Sequence, residues 1–336
     1  MTAQEAATVL AEIAYLLRHK EGQAHRARAF SRAANILLRD KPDLPTLRQT
    51  ENLESIESVG GGIARVLAEL VDTGRSTYLE RLQQETKEKE GPQLQSTLAR
   101  TGYRGDLHTH TDWSDGRATV LEMAQSADSL GYEYLGITDH SPRITIVNGL
   151  GPERLAAQAI QIADAQKRLQ RTTLLQGSEV DILEDGTLDL PDEVLAQLHV
   201  VIASPHVKLR MEPAAMTERM LRALENRYVD VIGHPTGRRI GSREGATYDF
   251  DRVFRRAAEC GVALEIDTDP ARMDLSPDLA KLAASVGCRL TLDSDAHAPE
   301  ELLYVDQGIW MARRAGLSEQ QLLNWLPLAE LQEAFA

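Results

Sequence analysis

At 336 residues, 42% apolar and 4% aromatic, the chain is long enough for one large domain with an aliphatic core and a smaller one beside it. Its formal charge of -14 arises beyond residue 90, where 24 basic residues face 37 acidic ones, against 13 and 14 before it; this disfavours a broad basic surface for a nucleic-acid backbone. Two cysteines, Cys260 and Cys288, argue against a disulfide framework, Glu5 and Glu12 interrupt the one candidate leader, and no apolar run nears the roughly 18 residues of a membrane span, so a cytoplasmic protein without a membrane partner is expected.

In chain order, residues 1–82 read as a helical domain. Leu10, Ile13, Leu16 and Leu17 fall at helical spacing, as do Ala29, Ala33, Ile36 and Leu37, and Pro42 and Pro45 end the second segment. Leu53 to Ile56, the glycines Gly60, Gly61 and Gly62, and a helix from Ile63 to Val71 closed by Gly74 form a third unit. The polar run QQETKEKEGPQLQST lies within a linker placed at 83–101.

From residue 102 to 336, short aliphatic segments alternate with helical stretches. Strands are predicted at Gly105–His108, Tyr134–Ile137, Thr173–Leu175, Val200–Ala203, Val229–Ile232, Val262–Ile266 and Arg289–Leu292. Helices are predicted at Thr119–Leu130, Pro152–Gln170, Pro213–Asn226, Phe250–Cys260 and Pro277–Val286, several opened by Ser, Thr, Asp or Pro. Such units mean a parallel sheet, and seven of them suggest a barrel or a strongly curled sheet, an α/β architecture.

A group able to bind metal stands at or just after the carboxyl end of each predicted strand: HTH with Asp115, TDH, GSE, SPH, GHP, Asp267 or Asp269 in EIDTD, and SDAH. In parallel α/β folds these ends converge on the active face. Taken singly, each histidine reads more simply as a surface or hydrogen-bonded residue. Together, six of the nine histidines occupy these positions, leaving only His19, His25 and His199 elsewhere. Imidazoles and carboxylates packed so densely are costly to bury unless cations satisfy them. The candidate metal ligands are His108, His110, Asp115, His140, Glu179, His206, His234, Asp295 and His297. With no thiolate the set is not a Cys-rich structural zinc site, and its mixed imidazole and carboxylate ligation suits Zn, Mn or Fe better than Mg. Nine ligands exceed the needs of one ion, so two or three ions are expected, bridged by Glu179. Three divalent ions would add about six positive charges locally, so the formal charge does not exclude an anionic substrate. Such a cluster activates water and neutralises both oxygens of a displacement at phosphorus, which favours phosphoester hydrolysis over amide or lactone hydrolysis. Arg143, Lys208, Arg238, Arg239, Arg243 and Arg272 all trail strand-end ligands and are expected to rim the same mouth, where guanidinium forks match phosphate oxygens.

The motifs GDLHTHTDWSDG, ITDHS, GSEVDILEDGTLDLPDEVL, VVIASPH, IGHPTGRR, PARMDL and SDAH resemble, in order, those of the polymerase and histidinol phosphatase (PHP) family. They are most similar to the version at the C-terminus of bacterial family X DNA polymerases, over roughly 102–325. The resemblance implies a distorted seven-stranded (β/α)7 TIM-like barrel with three divalent ions, manganese being favoured for activity. It implies that His108 and His110 share one ion with Glu179 and Asp295, that Glu179 bridges to a second held by His206 and His234, and that Asp115, His140 and His297 surround a third. His108, His110, Glu179, His206, Asp295 and His297 are then catalytic. The implied activity is a 3'-to-5' exonuclease or DNA-end-processing hydrolase, with a small-molecule phosphatase as the alternative and a noncatalytic binding or regulatory module as a third reading. Two departures stand out: proline precedes His206 where valine is usual, and EIDTDPARMDL carries Asp267 and Asp269 where the pattern reads EINANP.

The N-terminal part resembles the small domain of the same polymerases, with SIESVGGGIARVLAELVDTGRSTYLERL as its helix-hairpin-helix. That implies phosphate binding to DNA through backbone amides at Gly60 and Gly62. Glu57 and Ser58 replace the usual proline and first glycine, and a carboxylate there should repel phosphate. No fingers, palm or thumb separates this part from the barrel, so polymerase activity is not expected.

Overall fold

The computed structural model describes residues 1–18, 23–90, 98, 100–240 and 242–335, in two compact units, Met1–Leu94 and Gln95–Ala336. None of its helices is long and apolar enough to cross a membrane. Among the described residues both cysteines are free, Cys260 exposed and Cys288 buried.

The first unit is helical: α1 (Ala3–Arg18), α2 (Ala24–Asp40), α3 (Leu44–Gln49), α4 (Gly61–Thr73) and α5 (Thr77–Glu90). Its core takes Leu10, Ile13, Leu17 and Leu37 from the predicted stripes, with Leu67 and Leu70 of α4. Gly74 closes α4 in the left-handed conformation at φ 71. α5 continues to Glu90, so the first part of the run read as linker is helix: it is built of good helix formers and carries an i,i+4 Arg81–Glu85 pair. Residues 91–97 and 99 of that linker lie outside the described residues. Ser58 adopts φ 62, as a glycine would, and the Glu57 carboxylate lies 3.1 Å from Arg39 Nη2, which offsets its charge.

The second unit contains all seven predicted strands: β1 (Gly105–Asp106), β2 (Tyr134–Ile137), β3 (Thr173–Asp181), β4 (Val200–Ser204), β5 (Val231–Ile232), β6 (Ala263–Asp267) and β7 (Leu290–Asp293). They pair in parallel in the order β1-β2-β3-β4-β5-β6-β7. Between them run α6 (Val120–Ser129), α7 (Pro152–Gln166), the four-residue α8 (Asp192–Leu195), α9 (Pro213–Ala223), α10 (Phe250–Cys260) and α11 (Pro277–Ser285), followed by α12 (Val305–Ala315) and α13 (Leu328–Ala334). The starts are set by caps: Thr119 and Glu122 form a capping box on α6, and Asp249 and Ser276 cap α10 and α11, each worth about 1 kcal/mol. β3 outruns its predicted span because Gly177 to Asp181 pair with Val200 to Ser204, carrying Glu179 into the sheet.

β1 and β7 do not pair as strands. A single bridge, Thr109 to Ala296, links the segments beyond them, and Asn324 stitches the gap. Its side-chain amide donates to Gly105 O (2.9 Å) and Asp293 Oδ1 (2.8 Å), and its oxygen accepts from Leu292 N (2.7 Å). Leu323 and Leu331 pack with Leu107, Tyr134, Val200 and Val231. The C-terminal segment thus fills the end of the barrel where the strands begin. Trp325 belongs to this packing, edge-on to Tyr103 at 5.5 Å.

Asp230 stands at that same end, opposite the ligand face, and its carboxylate accepts the Val201 N–H at 2.8 Å. Burial pushes its carboxyl from an ordinary 3.8 up to about 7. The folded chain therefore keeps a proton that the unfolded chain has lost between about pH 4 and 7, and this group's contribution falls as pH rises through that window. Asp230→Asn keeps the acceptor and removes the charge. It should raise stability at pH 8 by ~2 kcal/mol and change it little at pH 4, read from urea midpoints. An equal shift at both pH values would show that titration is not the cause.

Candidate metal centre

Eight of the nine candidate ligands stand at or just beyond the carboxyl ends of the strands, and Asp115 lies in the loop after β1. His108 and His110 follow β1, His140 follows β2, Glu179 lies in the last turn of the pleat of β3, His206 and His234 follow β4 and β5, and Asp295 and His297 follow β7. His234 and Asp295 hold positive φ of 22 and 50, unusual for residues with side chains, so the local backbone is bent to aim them.

Glu179 is the hub. Its Oε1 lies 2.7 Å from His234 Nε2 and 3.0 Å from His206 Nε2, and its Oε2 lies 2.8, 3.5 and 3.6 Å from His140 Nδ1, His108 Nε2 and His110 Nε2. Asp295 Oδ1 is 2.9 Å from His110 Nε2, and Asp115 Oδ1 is 3.4 Å from His297 Nε2 and 3.6 Å from His140 Nε2. Ligand atoms cluster within 4.8 Å in three sets: His108, His110 and Asp295; His110, Asp115, His140 and His297; His140, Glu179 and His206. His110 and His140 each belong to two sets, Glu179 joins only the third, and His234 belongs to none and faces Glu179.

The residues fit cations on their own evidence. His108 Nε2, both nitrogens of His110 and His234, His206 Nε2 and both oxygens of Glu179 are buried without a hydrogen-bond partner, despite their proximity. Their lone pairs converge on shared space and are not paired edge to edge, an arrangement too costly to bury without a cation. The protein groups alone balance charge unevenly. Burial, with His297 and His140, lowers His110 to about 3, while His140 rises to about 10 because Glu179 and Asp115 outweigh its burial. Cations would displace the protons held on the raised imidazoles, so metal uptake releases protons and weakens as pH falls.

Three further carboxylates hold the ligands in place, and sequence reasoning passed over them. Glu265 of β6 lies 2.6 Å from His108 Nδ1 and accepts the His234 N–H at 2.5 Å. Gly233, next to His234, packs closely on β4, where a Cβ would stand 2.3 Å from Ser204 Oγ. Asp181, two residues beyond Glu179 on the same face of β3, lies 3.1 Å from His206 Nδ1. Asp139 accepts from Thr111 N (2.8 Å), Thr111 Oγ1 (2.6 Å) and Gln158 Nε2 (2.6 Å), fixing the loop that carries Asp115. The available signal was an acid within or at the end of an otherwise apolar strand, in EID, EVD and TDH.

The six expected substrate cations do not form one rim. Arg272 is a wall residue, 6% exposed, with Nε 3.3 Å from both Asp267 Oδ2 and Asp295 Oδ2 and Nη1 without a partner. Arg238 donates to the carbonyls of Arg272 and Met273, Arg243 to that of Gly237, and Lys208 sits 3.9 Å from Glu184. Arg143, Lys208 and Arg239 present exposed side chains. In the first unit, Gly60 and Gly62 line a cavity of about 610 Å³ with Arg26, Arg65, Arg81 and Tyr78.

Residues 106–306 match the PHP domain family, and residues 1–76 match a helix-hairpin-helix domain family. The chain belongs to the PHP family. It is a metal-dependent hydrolase of that family, and its ligand clusters fit one or more divalent ions. It is 40% identical over 232 residues to the DNA polymerase/3'-5' exonuclease PolX of Bacillus subtilis, covering 69% of this chain and 40% of the polymerase. It is 32% identical over 232 residues to a probable phosphatase of Caldanaerobacter subterraneus, covering 65% of this chain and 86% of that one. Among solved structures it resembles a histidinol phosphate phosphatase of Lactococcus lactis, at 17% identity and a TM-score of 0.46, over 64% of this chain and 95% of the other.

Proposed function

We propose that this PHP chain is a phosphomonoesterase acting on a small phosphate ester. The observation that carries this reading is the disposition of the cations. A polynucleotide backbone needs several free cations in a row, whereas of these six Arg238 and Arg243 are tied to backbone carbonyls, Arg143, Lys208 and Arg239 are exposed, and the one paired with a ligand carboxylate is the buried Arg272. One fork in a deep wall suits a single terminal phosphate. The substrate would enter past Asp115 and His297, whose side chains are 30% and 25% exposed while the other ligands are buried almost completely.

The nine ligands would hold three divalent ions, with manganese the first to test, and these would supply an activated water and neutralise the attacking and leaving oxygens. His108, His110, Glu179, His206, Asp295 and His297 act by holding that apparatus. Arg272 orients the phosphoryl oxygens, and Asp139 keeps Asp115 at the entrance.

The cavity beside Gly60 and Gly62, with its three arginines, favours a second reading, a 3'-to-5' exonuclease or DNA-end-processing enzyme held on DNA by the helical unit. Purified protein with Mn, offered histidinol phosphate, nucleoside monophosphates and 5'-labelled oligonucleotides, distinguishes the two. Phosphate released from small esters with oligonucleotides intact is expected. Shortened oligonucleotides with small esters untouched would replace the first reading by the second.

A further inference from the structure

Among the described residues, Glu265 is the one carboxylate of the centre that touches two ligands on different strands without itself belonging to the nine. Its Oε1 faces His108 Nδ1 at 2.6 Å, and its Oε2 accepts the backbone N–H of His234 at 2.5 Å. Both partners are donors once the His108 proton sits on Nδ1, the tautomer that leaves Nε2 aimed at Glu179 and Asp295. His234 meanwhile holds a φ of 22, a backbone conformation that needs an external restraint. Asp181 does half of this: one oxygen lies 3.1 Å from His206 Nδ1, while its Oδ2 has no partner.

We infer that Glu265 is a positioning residue for the metal centre, fixing the tautomer of His108 and the backbone of His234 together, and that Asp181 positions His206 alone. This rests on the metal centre and is independent of which ester is hydrolysed. The two sites differ in how they tolerate an amide. A carboxamide has one acceptor oxygen, so Glu265→Gln can satisfy His108 or His234 but must point its NH2 group at the other donor. Asp181→Asn can turn its oxygen to His206 and its NH2 group to the side where Oδ2 has no partner.

The experiment measures Mn affinity and stoichiometry in the full-length protein by competition with a chelating indicator, without substrate. Loss of an outer carboxylate on a ligating histidine typically weakens binding by about 10- to 100-fold. Glu265→Gln should show a loss of that size, Asp181→Ala a loss near its lower end, and Asp181→Asn less than about threefold. Urea midpoints in excess chelator identify any folding defect, and the Asp181 pair still tests the inference if Glu265→Gln fails to fold. A merely structural role would lower those midpoints and leave the affinity of the folded protein unchanged. Wild-type Mn affinity in a folded Glu265→Gln variant, or equal losses in Asp181→Asn and Asp181→Ala, overturns the inference. Normal metal binding by the wild type with no ester hydrolysed would instead sink the proposed function and leave this inference standing.

Discussion

Glu179→Gln should lose at least one equivalent of bound metal and roughly 10³-fold or more in phosphoesterase activity, a barrier increase of about 4 kcal/mol. Both Glu179 oxygens lie within 3.0 Å of imidazole nitrogens, and five histidines face it within 3.6 Å. The amide removes the central negative charge and turns an N–H toward nitrogens that must present lone pairs. Stability in chelator should change much less, because removing the charge also removes a buried ion and the surrounding imidazoles can then shed protons. Elemental analysis alongside release of phosphate from a small ester provides the readout. Full metal content with wild-type turnover would mean that Glu179 does not bridge.

The second large effect concerns Arg272. Arg272→Lys keeps the charge and removes the fork, and it should lower kcat/KM for a phosphomonoester by roughly 10²-fold, in line with losing one preorganised donor. Arg272→Ala adds a folding cost of about 3–5 kcal/mol in chelator, because Asp267 and Asp295 are left facing each other in a buried wall. Comparing urea midpoints with kinetics separates the two contributions. If Arg272→Lys hydrolyses the ester at the wild-type rate, the guanidinium is only a counter-charge for the two aspartates and the substrate must find its cation elsewhere.

The positions of the ligands could be read from sequence because the chemistry repeats with the fold: each short aliphatic run ends in a histidine or acid, and parallel strands bring those ends together. Helix starts at Thr119, Asp249 and Ser276 were visible for an equally local reason, since the cap lies within three residues of what it caps. Glu265, Asp181 and Asp139 went unread as supports because their partners lie 19 to 157 positions away. The partners of the arginines were hidden on the same grounds. Arg238 follows a ligand closely in sequence, but its guanidinium is held by carbonyls 34 and 35 residues on. Arg39, which Glu57 shares with Asp40, likewise stands 18 positions before it.

The stitch made by Asn324 has a consequence for the order in which the site can come into being. His108 and His110 lie on one side of the seam and Asp295 and His297 on the other, and Asn324, which helps to lace it, follows every ligand in the chain. During synthesis, therefore, strands β2 to β6 can associate and bring Glu179, His206 and His234 together while the set of His108, His110 and Asp295 is still open. A nascent chain could recruit its first cation at the Glu179 side of the centre before the barrel closes, and full occupancy would have to wait for the segment around residue 324.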